Sequence, residues 1–289
     1  MSFSADVKEE LSKINTLNNK EVLRAELLGY ILTGNTSNYE DVIEYITENE
    51  FNIERIYKIL FNLNIEYEPE IRGKLYVAKI KKNEDVLELL NITNQDDENT
   101  QKAIVRGAFL GAGSMNNPEN NYHLEIIFLE KENSVFVLNI CKLFEIKMKT
   151  IEKEEKTILY IKDGEGISRF LALTGAVKSV LKFEDIRILK EMKNNVNRLV
   201  NCETANLNKI VNASVNQIND IKLIKKLNKF EELPDYLKEI ANVRLEFPDV
   251  SLKELGQKLN PVLGKSGVNH RLRKLSDIAD DLREQKEEK

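Results

Sequence analysis

Two cysteines and two histidines are all that this chain of 289 residues offers to soft-metal or redox chemistry. Cys141 and Cys202 stand in helical-looking stretches with no C-x-x-C pairing. That predicts a reducing, cytoplasmic setting and a fold held without disulfides. His123 and His270 are too few for a histidine-rich metal site. No apolar run approaches the ~18 residues of a membrane span. The most apolar stretch, Ile167 to Leu181, is broken by Arg169 and Lys178. The start MSFSADVKEE is acidic and has no long apolar segment, so it does not read as a secretory signal. An excess of positive charge is also missing. Lys and Arg number 43 against 48 Asp and Glu, a net of −5. This balance argues weakly against a nucleic-acid partner, although a whole-chain sum can conceal a local basic patch.

What is present is ample core material, 42% hydrophobic and 31% charged, in a length that favours two domains. Residues 1–97 and 98–186 carry one order of elements twice. In the first, Asn19–Leu32 has apolar residues at 22, 23, 27, 28, 31 and 32, a helical period. YEDVIEYIT reads as strand, NIERIYKILFNL as helix, IEYEPE and KLYVAKIKK as a hairpin, and Glu84–Leu90 as a short helix. The polar string Thr93–Gln101 reads as a linker. In the second, QKAIVRGAFLGAG is helical, YHLEIIFLE a strand, SVFVLNICKLF a helix, IKMKTIE and KTILYIK a hairpin, and GEGISRFLALTG a short helix. Gly29 and Gly107 lie 78 positions apart; Ile65 and Ile146 lie 81 apart, as do Val86 and Ile167. A near-constant offset across different elements is what duplication gives, and the longer SMNNPENN loop accounts for the change. Residues 187–229 have no proline or glycine and are rich in asparagine and locally basic. They read as a solvated helical linker, or two helices with a break.

Residues 230–289 form the remaining block. Pro234 suits the first turn of a helix that stops by Pro248. Ser251 and Glu254 make an S-x-x-E capping box opening a second helix, which buries Leu252, Leu255 and Leu259 and ends near Asn260-Pro261. Gly264-Lys265-Ser266 reads as a turn with Ser266 as candidate N-cap. The third helix repeats Val268, Leu272, Leu275, Ala279 and Leu282 on one face. This is helix-turn-helix grammar. From Ser251 to Ser276 the basic residues are Lys253, Lys258, Lys265, Arg271, Arg273 and Lys274, against Glu254 alone. Asn and Arg suit bidentate contacts with base edges, and Lys suits phosphate. The candidate DNA-contacting residues are Ser251, Lys253, Lys265, Ser266, Asn269, His270, Arg271, Arg273 and Lys274.

The two helices that open the repeats, LLGYILTGN (Leu27–Asn35) and VRGAFLGAG (Val105–Gly113), resemble the LAGLIDADG motif of homing endonucleases. The resemblance implies two helices packed side by side, each bringing one acid to a shared metal site for phosphodiester hydrolysis. Carried over position by position, those acids fall on Gly34 and Ala112, which ligate nothing. The implied fold class is α+β: duplicated LAGLIDADG-type αββαββα repeats, then a helical linker and an all-α helix-turn-helix domain. The whole chain resembles the WhiA family of bacterial regulators. The likeness runs through MSFSADVKEEL, both degenerate repeats, NRLVNCETANLNKIV (Asn197–Val211) and KSGVNHRLRKL (Lys265–Leu275). It implies a two-domain DNA-binding protein of Gram-positive bacteria. Roles in cell division and chromosome segregation, and in sporulation for some members, come with it.

The expectation is therefore a non-enzymatic DNA-binding regulator, cytoplasmic and nucleoid-associated. Its partners are double-stranded DNA and other transcription or cell-division proteins, with no membrane, cofactor or metal. Two rivals remain open: a division or chromosome scaffold with weak sequence preference, and a residual nuclease using displaced acids. His123 reads as structural. KDGEG (Lys162–Gly166) lacks the Walker spacing and reads as a turn. Glu125, Glu130 and the EKEE run read as solvated surface.

Overall fold

Polar caps set where the helices begin. Ser2, Asn19, Asn49, Asp97 and Asp163 each accept a backbone N–H from the first turn of the helix that follows. The computed structural model describes residues 2–90 and 97–287, and divides into two units, residues 1–192 and 193–289.

In the first unit, α1 (Phe3–Ser12) precedes two copies of one pattern. The first copy is α2 (Lys20–Ile31), β1 (Thr36–Asn38), β2 (Val42–Thr47), α3 (Glu50–Leu63), β3 (Tyr67–Arg72), β4 (Leu75–Lys81) and α4 (Glu84–Leu90). The second is α5 (Glu98–Ala112), β5 (Gly113–Met115), β6 (Leu124–Phe128), α6 (Lys131–Leu143), β7 (Lys149–Lys153), β8 (Lys156–Ile161) and α7 (Gly164–Thr174). Each copy is αββαββα with one antiparallel sheet, in the orders β1-β2-β4-β3 and β5-β6-β8-β7. The inner rows pair apolar with apolar, Ile43 with Ile80 and Ile126 with Leu159, and join one buried core. Cys141 belongs to that core, and burial pushes its thiol up to about 12, so it packs as an apolar group.

Three readings change. Helix α1 is an element the sequence patterning did not mark, although Phe3, Val7 and Leu11 are buried at helical spacing. The expected linker Thr93–Gln101 lies outside the described residues up to position 96. From Asp97 onward it is instead the cap and first turn of α5. The polar helix expected from 187 begins ten residues earlier, as α8 (Val177–Lys226).

Helices α2 and α5 form the seam of the duplicated unit, and glycine is what lets them touch. A methyl group on Gly107 would stand 2.0 Å from the Glu26 carbonyl oxygen, and one on Gly29 would stand 2.2 Å from that of Ile104. These two contacts are related by the same 78-residue offset, so the repeats meet as symmetric partners. One turn away, the fully buried Glu26 carboxylate holds two guanidiniums. Arg55 donates to it at 2.8 and 2.9 Å, and Arg106 at 3.1 and 2.9 Å. Burial works against the Arg55 charge, but hydrogen bonding to Glu26, together with the charge interactions of Glu26 and Tyr30, raises its pKa overall. Arg55 also donates to the Ile14 carbonyl and the Thr16 hydroxyl, and Arg106 to the Thr174 carbonyl. The cluster thus ties both repeats and the α1–α2 connection together. Removing one partner of such a buried group typically costs about 3–5 kcal/mol.

The second unit contains the C-terminal part of α8, α9 (Asp235–Glu246), α10 (Leu252–Gln257) and α11 (Lys265–Glu287). Its core joins Ile221 and Ile224 of α8 to Leu237, Ile240 and Ala241 of α9, Leu255 of α10, and Val268, Leu272, Leu275 and Ala279 of α11. Among the described residues, no helix is long and apolar enough to cross a membrane.

The seam gives the first prediction. Gly107→Ala forces the two backbones apart and should destabilise the first unit by more than about 3 kcal/mol, measured by urea denaturation. Loss below about 1 kcal/mol would show that the helices separate freely.

Candidate nucleic-acid interface

The positions where the motif carries its acids lie at the ends of the seam helices. Gly34 follows α2, and its N–H donates to the Ile127 carbonyl of the other repeat at 2.8 Å. A Cβ at Gly34 would stand 3.0 Å from the Ile127 side chain, so a carboxylate there needs the neighbouring strand to give way. Ala112 is buried at the last position of α5. Carbonyl oxygens near both ends are already met by protein donors. Asn52 donates to Leu110 O at 2.5 Å, and Asn133 to Leu32 O at 3.3 Å. These two bonds obey the repeat offsets, Asn52 answering to Asn133 and Leu110 to Leu32. Asn35 and the Tyr45 hydroxyl add donors to Gly111 O at 2.7 and 3.3 Å. One carboxylate, Glu48, shares the shallow recess beside Gly34 with Ser37 and Thr47. Divalent cations take oxygen ligands, commonly from carboxylates, and these residues do not fit one. Among the described residues no three His, Cys, Asp or Glu side chains converge on a metal position.

The sheet of the first repeat offers little free positive charge. Arg72 is held by Glu44 and Glu70 at 2.9 and 2.8 Å, Lys79 by Glu70 at 2.8 Å, and Lys81 by Glu66 at 2.6 Å.

The C-terminal unit is built differently. Ser251 opens α10 as anticipated: its hydroxyl accepts the Glu254 N–H, and the Glu254 carboxylate accepts the Ser251 N–H at 2.9 Å. That bond from the Ser251 backbone leads the interactions that hold the Glu254 carboxyl below its usual range. The hydroxyl of Ser251 is therefore committed to the cap. Helix α10 ends at Gln257, three residues before Asn260, yet Leu259 remains buried. The turn then passes so close to α10 that a Cβ on Gly256 would meet Leu263 O at 2.0 Å. Helix α11 starts at Lys265, and Gly264 O accepts the Val268 N–H. The cap expected at Ser266 falls two residues earlier, at Gly264: Ser266 is already helical and faces solvent.

Val268, Leu272, Leu275 and Ala279 are buried as anticipated. Lys265, Ser266, Asn269, His270, Arg273 and Lys274 are exposed. At about 100° per residue, Ser266, Asn269, His270 and Arg273 share one face of the first three turns. Among the described residues no intramolecular hydrogen bond or ion pair engages the side chains of Lys265, Ser266, Asn269, His270 or Arg273. Lys253 is exposed on α10. Further along α11 the exposed side chains turn acidic with Asp277, Asp280 and Asp281. The helix is therefore polarised, and only its N-terminal half suits a polyanion.

Arg271 departs from the expectation. It is mostly buried, donating to Glu239 at 3.2 Å and to the Tyr236 carbonyl at 3.3 Å, with its guanidinium 5.4 Å from the Tyr236 ring centre. Glu239 also accepts the Asn260 N–H at 2.9 Å. This pair fixes the turn and α11 against α9, so Arg271 positions the helix. Arg244 is a second internal support that sequence reasoning missed. It is fully buried and donates to the carbonyls of Phe247, Pro248 and Val250 at the end of α9. Its signal was present: it continues the Leu237, Ile240, Ala241 apolar face at helical spacing. Arg271→Ala should lower stability of this unit by about 1 kcal/mol, read by thermal melting. Unchanged stability with lost DNA affinity would show that Arg271 reaches the duplex instead.

Comparison with known proteins agrees with this architecture. The model of the WhiA LAGLIDADG-like domain matches residues 28–99 and 101–193, and that of the WhiA C-terminal HTH domain matches residues 196–279. Relatives named "Probable cell division protein WhiA" from Staphylococcus carnosus and Staphylococcus saprophyticus are 42% and 41% identical, with 98% of each chain covered. The crystal structure of full-length DUF199/WhiA from Thermatoga maritima is similar with a TM-score of 0.63 and 30% identity, over 97% of this chain and 99% of that one. Its relative, the N-terminal LAGLIDADG domain of DUF199/WhiA, gives 0.55 at 27% identity, covering 61% of this chain and 93% of that one.

Proposed function

The chain belongs to the WhiA family of cell division proteins, and from that premise we propose that it is a non-enzymatic regulator that reads duplex DNA through α11. The observation that carries this reading is the exposed row Ser266, Asn269, His270 and Arg273, flanked by Lys265 and Lys274 on a helix whose far half is acidic. In helix-turn-helix proteins the N-terminal residues of the second helix meet base edges in the major groove. Donors free of internal partners are what such contacts require, because a committed side chain would have to break one bond to make another. Lys253 and Lys265 suit phosphates beside the groove. The role extends to control of cell division and chromosome segregation at the nucleoid, supported by the family likeness.

Duplex DNA selected by the full chain from a random pool provides the test. Arg273→Ala should weaken binding to that duplex by roughly 1–3 kcal/mol if it reads a guanine. Lys265→Ala should weaken selected and unrelated duplexes alike and reduce the salt slope by about one charge. Equal loss on every sequence from Arg273→Ala would make it a phosphate contact and favour a scaffold with weak sequence preference.

The seam domain does not hydrolyse DNA in this reading. Support comes from Gly34 and Ala112, which replace both acids, and from the Asn and Tyr donors that occupy neighbouring carbonyls. The full chain should leave supercoiled plasmid and selected duplex intact in Mg²⁺ or Mn²⁺, even at protein excess. Metal-dependent cleavage lost on Glu48→Gln would instead reveal a displaced acid site.

A further inference from the structure

Helix α8 is not polar all round. Between Leu189 and Ile210 one line of positions advances in alternating steps of four and three: Leu189, Lys193, Val196, Val200, Glu203, Leu207 and Ile210. Leu189, Val196, Val200 and Leu207 are each more than half exposed, and Met192 and Leu199 beside them equally so. The next position of the line, Ser214, is buried and donates to the Pro248 carbonyl. The second unit thus covers its continuation, and the stretch before it is bare. Off this line, eight asparagines fall between Lys193 and Asn216. Asparagine is a poor helix former, and long helices draw most of their stability from packing an apolar face. A four-three repeat is the pattern by which one helix seats against another.

We propose that a second copy of this chain covers the stripe, the two α8 helices running antiparallel about a two-fold axis beside residue 198. In that register each residue faces the one equally far beyond position 198. Leu189 then faces Leu207, Val196 faces Val200, and Lys193 faces Glu203, each pair occurring twice by symmetry. Lys193 and Glu203 are the two charged positions in the stripe, and this register joins them. A parallel, in-register pair would set Glu203 against Glu203 and Lys193 against Lys193. Sliding the antiparallel pair by one heptad would set Lys193 against Ile210 and Glu203 against Val200. Charge complementarity therefore selects one orientation and one register, over a seam about 27 Å long from Leu189 to Leu207. The dimer does not depend on DNA, so its test is separate from that of the DNA-reading helix.

Sedimentation equilibrium of the full chain, without DNA, reads the association directly. The unaltered chain should dimerise. Lys193→Glu and Glu203→Lys should each weaken the dimer roughly tenfold or more, and the double reversal should restore it. Orientation is read in a Cys202→Ser background, since Cys141 is buried. A Val196→Cys chain mixed with a Val200→Cys chain should form a mixed disulfide dimer, while neither cross-links with itself. A chain that stays monomeric at all concentrations, single reversals without effect, or self-cross-linking of Val196→Cys would each overturn the proposal.

Discussion

Two helix backbones touch at Gly29 and Gly107, and the first unit is arranged around that contact. Because no side chain separates α2 from α5, their ends are delivered together, each within reach of the opposite repeat. The same closeness lets Asn52 and Asn133 cross the seam and meet carbonyls of the opposite helix. It also brings Arg55 and Arg106 onto one buried carboxylate. Neutral donors meet the helix-end carbonyls, and glycine and alanine stand at the two ends, so the described side chains form a packed joint there. The seam joins the two repeats through backbone contact, a task that needs no charge at its end.

A second backbone contact performs the corresponding task in the C-terminal unit. Gly256 admits the Leu263 carbonyl, which closes the turn and sets α11 beside α10. Glu239 then holds both the turn and Arg271, and Arg244 gathers the carbonyls that end α9. The internal cations are therefore spent on geometry, whereas the side chains of Lys265 and Arg273 remain available, and Lys274 reaches back to the Tyr236 hydroxyl at 3.5 Å. The chain's net negative charge is no obstacle, because the polarity changes sign along α11 itself.

Much of this was legible in the residues because local rules decide it. The Ser251 capping box, the apolar line from Val268 to Ala279, and the repeated order of helix and strand all follow from nearest neighbours along the chain. Strands β1 and β5 escaped because three residues are too few to show alternation. The Ser266 side chain suits a cap, but α11 already begins at Lys265, where the Gly264 carbonyl accepts the Val268 N–H. The pairing of Arg271 with Glu239 was not legible, because Glu239 is brought near only by the fold. Glu26, Arg55 and Arg106 escaped for the same reason, since buried charge pairing is set across elements. The apolar stripe on α8 was hidden by the asparagines that surround it, which lower the average without erasing the spacing.

The central proposal is that duplex DNA is read by the first turns of α11. Hydrogen–deuterium exchange of the full chain, with and without its selected duplex, tests this most directly. The account predicts added protection confined to α10, the following turn and residues 265–274, with the strands of both sheets unchanged. Protection gained along β3 and β4 or along β7 and β8, with none at α11, would contradict it.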